Sequence, residues 1–409
     1  MNVFKKINLL ALVGLLTIAS CNKKAEEKED NKAQAYIEDV KQEYAPDKRV
    51  ALFDVEATQA NDAYILKGES NLPDAVSALK EKLNAEGISF TDSIQLLPTT
   101  DLEGKTNGLI KISVANLRGE GKHSAELVTQ ATMGTPVKIL KNNEGWTLIQ
   151  TPDGYISWVD YGGVIGLTDA EFEDWKAADK IIYLNPYGKS FEKADLKSQP
   201  VSDLVAGDIL EVLSDKNGFY EAKYPDGQKA FVDKVEAMGY SDWVASVDQS
   251  GEDLVMTAKK LMGLPYLWGG TSPKGVDCSG FTKTVYFLNG LVIPRDASQQ
   301  VHTGKLIDST KNFENLVPGD LLFFGRKATD STGERIIHVG MWIGDQKFIH
   351  SMGNVHISTM DTTSADFDEY NYNRYLRTKR INNQEGKGLL YLAKKDIFMA
   401  KKDSTSVKE

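Results

Sequence analysis

The feature that most constrains the fold is a β pattern that occurs twice within residues 134–234. "GTPVKILKNNEGWTLIQTPDGYISWVD" and "AGDILEVLSDKNGFYEAKYPDGQKAFVDK" share a glycine-marked turn, a Val/Ile/Leu strand, a second glycine turn, an aromatic strand, Pro-Asp-Gly and a last strand. A repeat of about 70 residues with this layout predicts two small β-barrels in tandem. Because the chain has 409 residues, it has room for further domains on both sides.

The two segments resemble the bacterial SH3-like domains that accompany cell-wall enzymes. We assign residues 109–170 to a first such domain and residues 171–242 to a second. Before them, residues 45–108 contain three strand-like runs and the amphipathic helix "PDAVSALKEKLNAEG", which predict a small α+β unit. This unit contains no recognisable titratable cluster, so its role stays open.

The first residues, "MNVFKKINLLALVGLLTIASCNKK", have the form of a secretory signal. Lys5 and Lys6 precede an apolar run that is too short for a comfortable membrane span. The end of the run, "TIASC", resembles the lipobox of bacterial lipoproteins, which implies a signal peptide over residues 1–20 and a lipid on Cys21. A plain signal peptide followed by an incidental cysteine is the alternative. The high charge density after it predicts a disordered tether over residues 21–44.

Composition, charge and the surroundings of the histidines limit the partners and cofactors to be expected. The hydrophobic fraction of 41% and the charged fraction of 26% are those of a globular protein. The net charge is −10, and no basic stretch carries interleaved aromatics, so we expect no nucleic-acid partner. The histidines lack the carboxylate and thiolate neighbours of a zinc ligand set, so we expect no metal and no cofactor. We expect a monomer.

The second of the two cysteines lies in "GVDCSGFTKTVYFLNG". The apolar spacing of Phe281, Val285 and Leu288 predicts a helix that begins at or just after Cys278. Unpaired backbone N–H groups at a helix N-terminus favour a thiolate, so the sequence predicts a lowered pKa for this thiol. Asp277 is in the position of a helix N-cap.

A nucleophilic cysteine needs a base, and "RIIHVGMWIGDQKFIHSMG" offers two histidines on a predicted hairpin. If Ile343 pairs with Lys347 across a three-residue loop, Gly340 lies opposite His350, and His338 is its diagonal neighbour on the same face. A two-residue loop would place the histidines on opposite faces and exclude the pair. Glycine at position 340 favours the first register because it leaves room for an imidazole.

The last third of the chain resembles the NlpC family of papain-like cysteine peptidases, which cut bacterial cell-wall peptides. "PYLWGGTSPKGVDCSGF", "PRDASQQ", "LVPGDLLFF", "HVGMWIG" and "FIHS" follow one another in the order and at the spacing of that family. The resemblance assigns residues 250–382 to a peptidase domain, with Cys278 as nucleophile and His338 as general base. It implies that His350 orients His338 and that Tyr266 lies against the nucleophile.

The arrangement of two SH3-like domains before the peptidase domain resembles that of a narrower group of enzymes, the γ-D-glutamyl-L-diamino acid endopeptidases, also called dipeptidyl-peptidase VI. These cut between γ-D-Glu and the diamino acid and require a free L-Ala amine. The resemblance implies that Asp277 and Ser279 hold this amine, together with Glu126 and Tyr155 of the first SH3-like domain. Carboxylates that face an ammonium reject N-blocked chains, because an unpaired buried charge is costly.

The neighbouring residues Arg295 and Asp296 are expected to form a structural pair near the site. The C-terminal extension, residues 383–409, lies beyond the resemblance and its role stays open.

Together these features predict an α+β multidomain protein with a papain-like cysteine peptidase domain, two SH3-like barrels and a small N-terminal α+β unit. We expect it to be lipid-anchored in the cell envelope, on the periplasmic face or the cell surface, and to hydrolyse free murein peptides of the form L-Ala-γ-D-Glu-diamino acid during peptidoglycan turnover or recycling. A D,L-endopeptidase or amidase acting on intact peptidoglycan is an alternative, and so is a wall-binding lipoprotein with a vestigial peptidase domain. The membrane, the leaflet and the diamino acid stay open.

Overall fold

The computed structural model describes residues 31–400. The predicted signal peptide over residues 1–20, Cys21 and the first part of the tether lie outside the described residues. Within residues 31–400 the chain forms an N-terminal α+β unit, two β-barrels and a mixed α+β domain, in agreement with the predicted fold class. No helix in this range is long and apolar enough to cross a membrane.

The N-terminal unit is a three-stranded sheet covered by two helices. Strands β1 and β2 form an antiparallel hairpin, and β3 returns parallel to β2 after a helical crossover. The elements are α1 (Lys32–Tyr44), β1 (Phe53–Ala60), β2 (Ala63–Ser70), α2 (Pro73–Ala85) and β3 (Phe90–Leu96).

The prediction of a disordered tether over residues 21–44 is wrong for its last part, because residues 32–44 are helix α1. Ala33, Ile37 and Val40 follow at i, i+4 and i+7, and all three are fully buried. They share one apolar cluster with residues of α2 and β1. The charged residues occupy the other face of the helix, which is why composition alone indicated disorder.

The two barrels repeat one topology. The strand order is β10-β4-β7-β8-β9-β5-β6 in the first barrel and β17-β11-β14-β15-β16-β12-β13 in the second, so each strand has its counterpart seven strands later in the chain. A short 3₁₀ helix (Thr100–Leu102) precedes the first barrel, and α3 (Asp169–Ala177) joins the two. The first barrel comprises β4 (Asn107–Ile110), β5 (Val114–Arg118), β6 (Leu127–Thr132), β7 (Pro136–Asn143), β8 (Trp146–Gln150), β9 (Ile156–Asp160) and β10 (Val164–Leu167). The second comprises β11 (Lys180–Tyr183), β12 (Tyr187–Phe191), β13 (Pro200–Val205), β14 (Ile209–Lys216), β15 (Phe219–Lys223), β16 (Lys229–Asp233) and β17 (Ala237–Gly239).

The last domain places helix α6 against a six-stranded sheet of order β21-β26-β22-β23-β24-β25. Phe281 and Val285 of α6 are fully buried with Val339 and Ile349 of the sheet. The elements before the sheet are α4 (Tyr240–Ser246), α5 (Gly251–Lys260), β18 (Thr271–Ser272), β19 (Gly275–Val276), α6 (Cys278–Phe287), β20 (Leu291–Val292) and α7 (Ala297–Gln300). The sheet and its connections are β21 (Lys305–Asp308), a 3₁₀ helix (Phe313–Asn315), β22 (Leu321–Arg326), β23 (Arg335–Gly344), β24 (Lys347–Met352), β25 (Asn354–Thr359), α8 (Glu369–Asn373) and β26 (Tyr375–Arg380).

The described part of the C-terminal extension, residues 383–400, belongs to the folded body. Strand β27 (Leu390–Tyr391) pairs with β20. Phe398 is buried against Trp175 of α3 and Tyr240 of α4. The extension therefore ties the second barrel to the peptidase domain.

Candidate active site

Cys278 is the first residue of helix α6, and Asp277 is its N-cap, as the sequence predicts. The Asp277 carboxylate accepts the backbone N–H of Gly280 at 2.7 Å. A side chain at Gly280 would collide with the backbone carbonyl of Gly270, so only glycine permits this close approach of loop and helix. The N-terminus of α6 thus fixes the position of the cysteine.

The thiol of Cys278 is buried, and burial raises its pKa to about 12, with the negative charge of Asp277 adding to the effect. Backbone N–H groups of Val339 and Ser279 donate hydrogen bonds to the sulfur and act in the opposite direction. The predicted lowering of the pKa by the helix N-terminus is therefore wrong for this structure. Desolvation of the thiolate outweighs the field of the helix.

The hairpin of β23 and β24 has a two-residue turn, Asp345 and Gln346, both with positive φ. The prediction of a three-residue loop is wrong, because Gly344 pairs directly with Lys347. A bulge at Ile343 then shifts the pairing by one residue, so the register beyond it is the one that the predicted loop implied. Without the bulge, one histidine would point to the other face of the sheet.

The two imidazoles lie on the same face and touch. His338 Nε2 is 2.7 Å from His350 Nδ1, and the rings meet edge to face with centroids 5.0 Å apart. A Cβ at Gly340 would lie 2.7 Å from a carbon of Phe348 and 3.1 Å from Cβ of His350. The glycine therefore leaves the space that the histidine pair needs, as predicted.

A chain of hydrogen bonds continues beyond the histidines. His350 Nε2 is 3.0 Å from Oγ of Ser358 on β25. The carboxylate of Asp368, which precedes α8, lies near the hydroxyl of Ser358, and this hydroxyl contributes to the lowered pKa of Asp368. Sequence reasoning missed both residues, because neither lies in a motif and only the pairing of β24 with β25 brings Ser358 to the ring.

Both histidines are held neutral. Burial lowers the pKa of His338 well below its usual value, and the neighbouring His350 and Arg374 add to this. Burial likewise lowers the pKa of His350 to about 3, with His356 adding to the effect. At neutral pH the resting site therefore holds a thiol and two uncharged imidazoles, and His338 can accept a proton.

A cavity of about 1180 Å³ opens at the cysteine, between the first barrel and the peptidase domain. Its walls include every residue predicted to bind substrate: Tyr266, Asp277, Ser279, Glu126 and Tyr155. Glu126 and Tyr155 are contributed by the first barrel, and the others surround Cys278. The tertiary fold thus brings together residues that lie far apart in the sequence.

The carboxylate of Asp277 is already occupied. It receives both terminal nitrogens of Arg295, at 3.2 and 2.5 Å, together with the backbone N–H of Gly269 and the hydroxyl of Ser279. The expected pair of Arg295 with Asp296 is a weak contact, because the nearest nitrogen and oxygen are 3.8 Å apart. The principal ion pair is Arg295–Asp277, and it is buried.

Glu126 has a different environment. Its carboxylate accepts the indole N–H of Trp268 at 2.7 Å, and within residues 31–400 it is paired with no lysine or arginine. Tyr155 is buried, and its hydroxyl donates to Asp296 at 3.3 Å. Trp268 stands in the quoted motif "PYLWGG", but nothing in the sequence connects it with Glu126.

The N-terminal unit also reaches the cavity, which the sequence did not predict. Lys48, Arg49, Leu52 and Glu69 are among the lining residues. No motif marks them, so their position depends on how the unit docks. Among residues 31–400, no three His, Cys, Asp or Glu side chains converge in the manner of a metal site.

Two segments of the chain match known protein families. Residues 263–375 match the NlpC/P60 family. Residues 117–161 match the bacterial dipeptidyl-peptidase SH3 domain. Both segments lie where the motifs predicted them, and neither includes the N-terminal unit.

Individual relatives agree with these matches. The chain is 34% identical to the gamma-D-glutamyl-L-lysine dipeptidyl-peptidase of Bacillus cereus over 55% of its own length and 67% of that enzyme. It is 28% identical to dipeptidyl-peptidase 6 of Lysinibacillus sphaericus, over 62% of its own length and 92% of that enzyme. Among solved structures, an NlpC/P60 family protein from Bacillus cereus superposes with a TM-score of 0.57 at 26% identity, covering 68% of this chain and 99% of that one.

These similarities confirm the resemblance that the motifs predicted. The family match covers the cysteine and both histidines, and the SH3 match covers the barrel that supplies Glu126 and Tyr155. The chain therefore belongs to the NlpC/P60 family and is a cysteine-type peptidase.

Proposed function

We propose that this peptidase hydrolyses the bond between γ-D-Glu and a diamino acid in free murein peptides that begin with L-Ala. The observation that carries the proposal is a single cavity in which Cys278 shares its walls with Glu126 and Tyr155 of the first barrel. The names of the Bacillus cereus and Lysinibacillus sphaericus relatives support this class of substrate.

Cys278 is the proposed nucleophile and His338 the base. His338 takes the thiol proton at Nδ1 while the sulfur attacks the γ-carbonyl carbon of D-Glu. The N–H at Nε2 of His338 donates a hydrogen bond to Nδ1 of His350, and the N–H at Nε2 of His350 donates one to Ser358, in line with the observed contacts. This order gives each ring one proton and leaves Nδ1 of His338 free as the acceptor.

The tetrahedral intermediate needs donors for its oxyanion. The backbone N–H of Cys278 is at the free N-terminus of α6, where an anion is stabilised. Collapse breaks the C–N bond, and His338 returns the proton to the leaving amine of the diamino acid. Water then attacks the thioester with His338 as base, which releases the dipeptide and restores the thiol.

The preference for a free amine follows from the charges that line the cavity. Asp277 is neutralised by Arg295, whereas Glu126 has no basic partner among the described residues. We assign the substrate ammonium to Glu126, with the hydroxyls of Tyr155 and Ser279 as further partners. Asp277 contributes by holding Ser279 in place. An acylated amine would leave Glu126 without a counter-charge and is disfavoured.

We further propose that Cys21 carries a lipid that anchors the protein in the cell envelope, so that it acts in peptidoglycan turnover or recycling. The lipobox-like "TIASC" supports this proposal. Metabolic labelling with a radioactive fatty acid tests it, because Cys21→Ser should abolish labelling. Label that persists in this variant would contradict the anchor.

The central experiment incubates the purified protein with L-Ala-γ-D-Glu-meso-diaminopimelate under reducing conditions. Mass spectrometry should detect L-Ala-γ-D-Glu with the wild type and none with Cys278→Ala. Wild-type protein that leaves the tripeptide intact would refute the proposal. Equal rates on N-acetylmuramyl-linked peptides would instead favour an endopeptidase or amidase that acts on intact peptidoglycan.

A further inference from the structure

Residues 47–52 of the N-terminal unit contact the first barrel next to the cavity. The backbone N–H of Ile156 donates to the carbonyl of Arg49 at 2.7 Å, next to Tyr155. The side chain of Gln150 donates to the carbonyl of Val50 at 3.1 Å. The segment therefore runs along the edge of the first barrel, beside the residues assigned to the substrate ammonium.

Arg49 joins this segment to the peptidase domain. Its Nη1 donates to Asp296 at 2.7 Å and to Ser298 at 2.9 Å. Its Nε and Nη2 form a fork with Asp47, each at 2.8 Å, and Asp47 also accepts the amide of Gln299 at 2.8 Å. Such a two-sided fork holds a guanidinium in one orientation.

The position of this guanidinium is specific. Oδ2 of Asp296 accepts hydrogen bonds from both the Tyr155 hydroxyl and Arg49. One carboxylate oxygen therefore links Arg49 to Tyr155, which is an assigned partner of the substrate amine. Both Arg49 and Asp296 line the cavity. Any group that reaches past Tyr155 to Asp296 would therefore meet a cation that already occupies that carboxylate.

We propose that Arg49 closes the binding site beyond the first substrate residue and so limits this peptidase to the release of dipeptides. It fills the space beyond the first substrate residue, and it neutralises the carboxylate that a longer peptide could use. The inference rests on the proposed function and adds to it a specificity-determining residue outside both segments that match known families.

The test compares two substrates of equal charge, L-Ala-γ-D-Glu-L-Lys and the same peptide with one glycine added at its N-terminus. The readout is the ratio of kcat/KM for the longer peptide to that for the shorter one. In Arg49→Ala this ratio should rise about tenfold, because the freed Asp296 can bind the displaced ammonium. Arg49→Gln is closer to arginine in size and should also raise the ratio. It replaces the alanine variant in the test if that variant folds poorly.

Two variants are controls. Arg49→Lys retains a cation for Asp296 and should keep the ratio near that of the wild type. Lys80→Gln removes an ion pair within the N-terminal unit, with Asp92, and neither residue lines the cavity, so this variant should leave the ratio unchanged.

An unchanged ratio in both Arg49→Ala and Arg49→Gln, with the shorter peptide still cleaved, would overturn the inference and leave the proposed function intact. So would an equal rise in Arg49→Lys. Wild-type protein that cleaves neither peptide would overturn the proposed function, and the inference with it.

Discussion

The replacement Glu126→Gln isolates the charge that we assign to substrate recognition. Glutamine keeps the length and shape of the side chain, and its amide oxygen can still accept the indole N–H of Trp268 at the 2.7 Å contact. The variant therefore removes a negative charge with little change to the wall of the cavity.

The expected loss follows from the surroundings of Glu126. A hydrogen bond to a charged group contributes about 1.5–3 kcal/mol, and because Glu126 is exposed at the rim, the lower part of that range applies. About 1.5–2 kcal/mol corresponds to a decrease of roughly tenfold to thirtyfold in kcat/KM for L-Ala-γ-D-Glu-L-Lys. The decrease should come mainly from KM, since Glu126 binds a part of the substrate that does not react.

The assay measures release of the dipeptide by mass spectrometry for the free peptide and for its N-acetyl form. The N-acetyl peptide lacks the N-terminal ammonium that Glu126 is assigned to bind, so its slow cleavage should be unaffected by Glu126→Gln. Glu120→Gln is the matched control, because Glu120 also lines the cavity but is paired with Lys122 at 2.6 Å. A loss of less than about threefold, or an equal loss on both peptides, would refute the charge assignment.

Three further predictions concern other parts of the chain. His350→Ala should lower kcat by about a hundredfold or more with little change in KM, because His338 loses the partner that orients it; steady-state kinetics measure this. The pH profile of kcat/KM should fall on the acid side below the usual histidine pKa of about 6.5, since the depressed pKa of His338 keeps it unprotonated to lower pH, and on the alkaline side near pH 8, where the substrate amine loses its proton. An acid limb at or above pH 6.5 would contradict the first part, and an alkaline limb that persists in Glu126→Gln would contradict the second. Ile37→Ala should reduce the free energy of unfolding in urea by about 2–4 kcal/mol, whereas Gln42→Ala on the exposed face should change it by less than about 0.5 kcal/mol.

Much of the site could be predicted from local sequence, because its parts are local structures. Asp277 before a run of helical periodicity indicates the start of α6, and that start fixes the position of Cys278. Gly340, two residues after His338 on the same strand, indicates the register that makes the rings meet, although the bulge that produces this register was not predicted. The repeated Pro-Asp-Gly turns likewise predicted two barrels of one topology.

The sequence by itself thus determined the cysteine at the start of α6, the pairing of the two histidines and the repeated barrel topology, since each depends on residues close together in the chain. Only the tertiary structure decided the electrostatics and the shape of the cavity. Burial turned the expected low pKa of Cys278 into a high one, because desolvation depends on everything packed around the thiol. Docking of the N-terminal unit placed Arg49 against Asp296, 247 residues away, and no local pattern encodes a contact of that range.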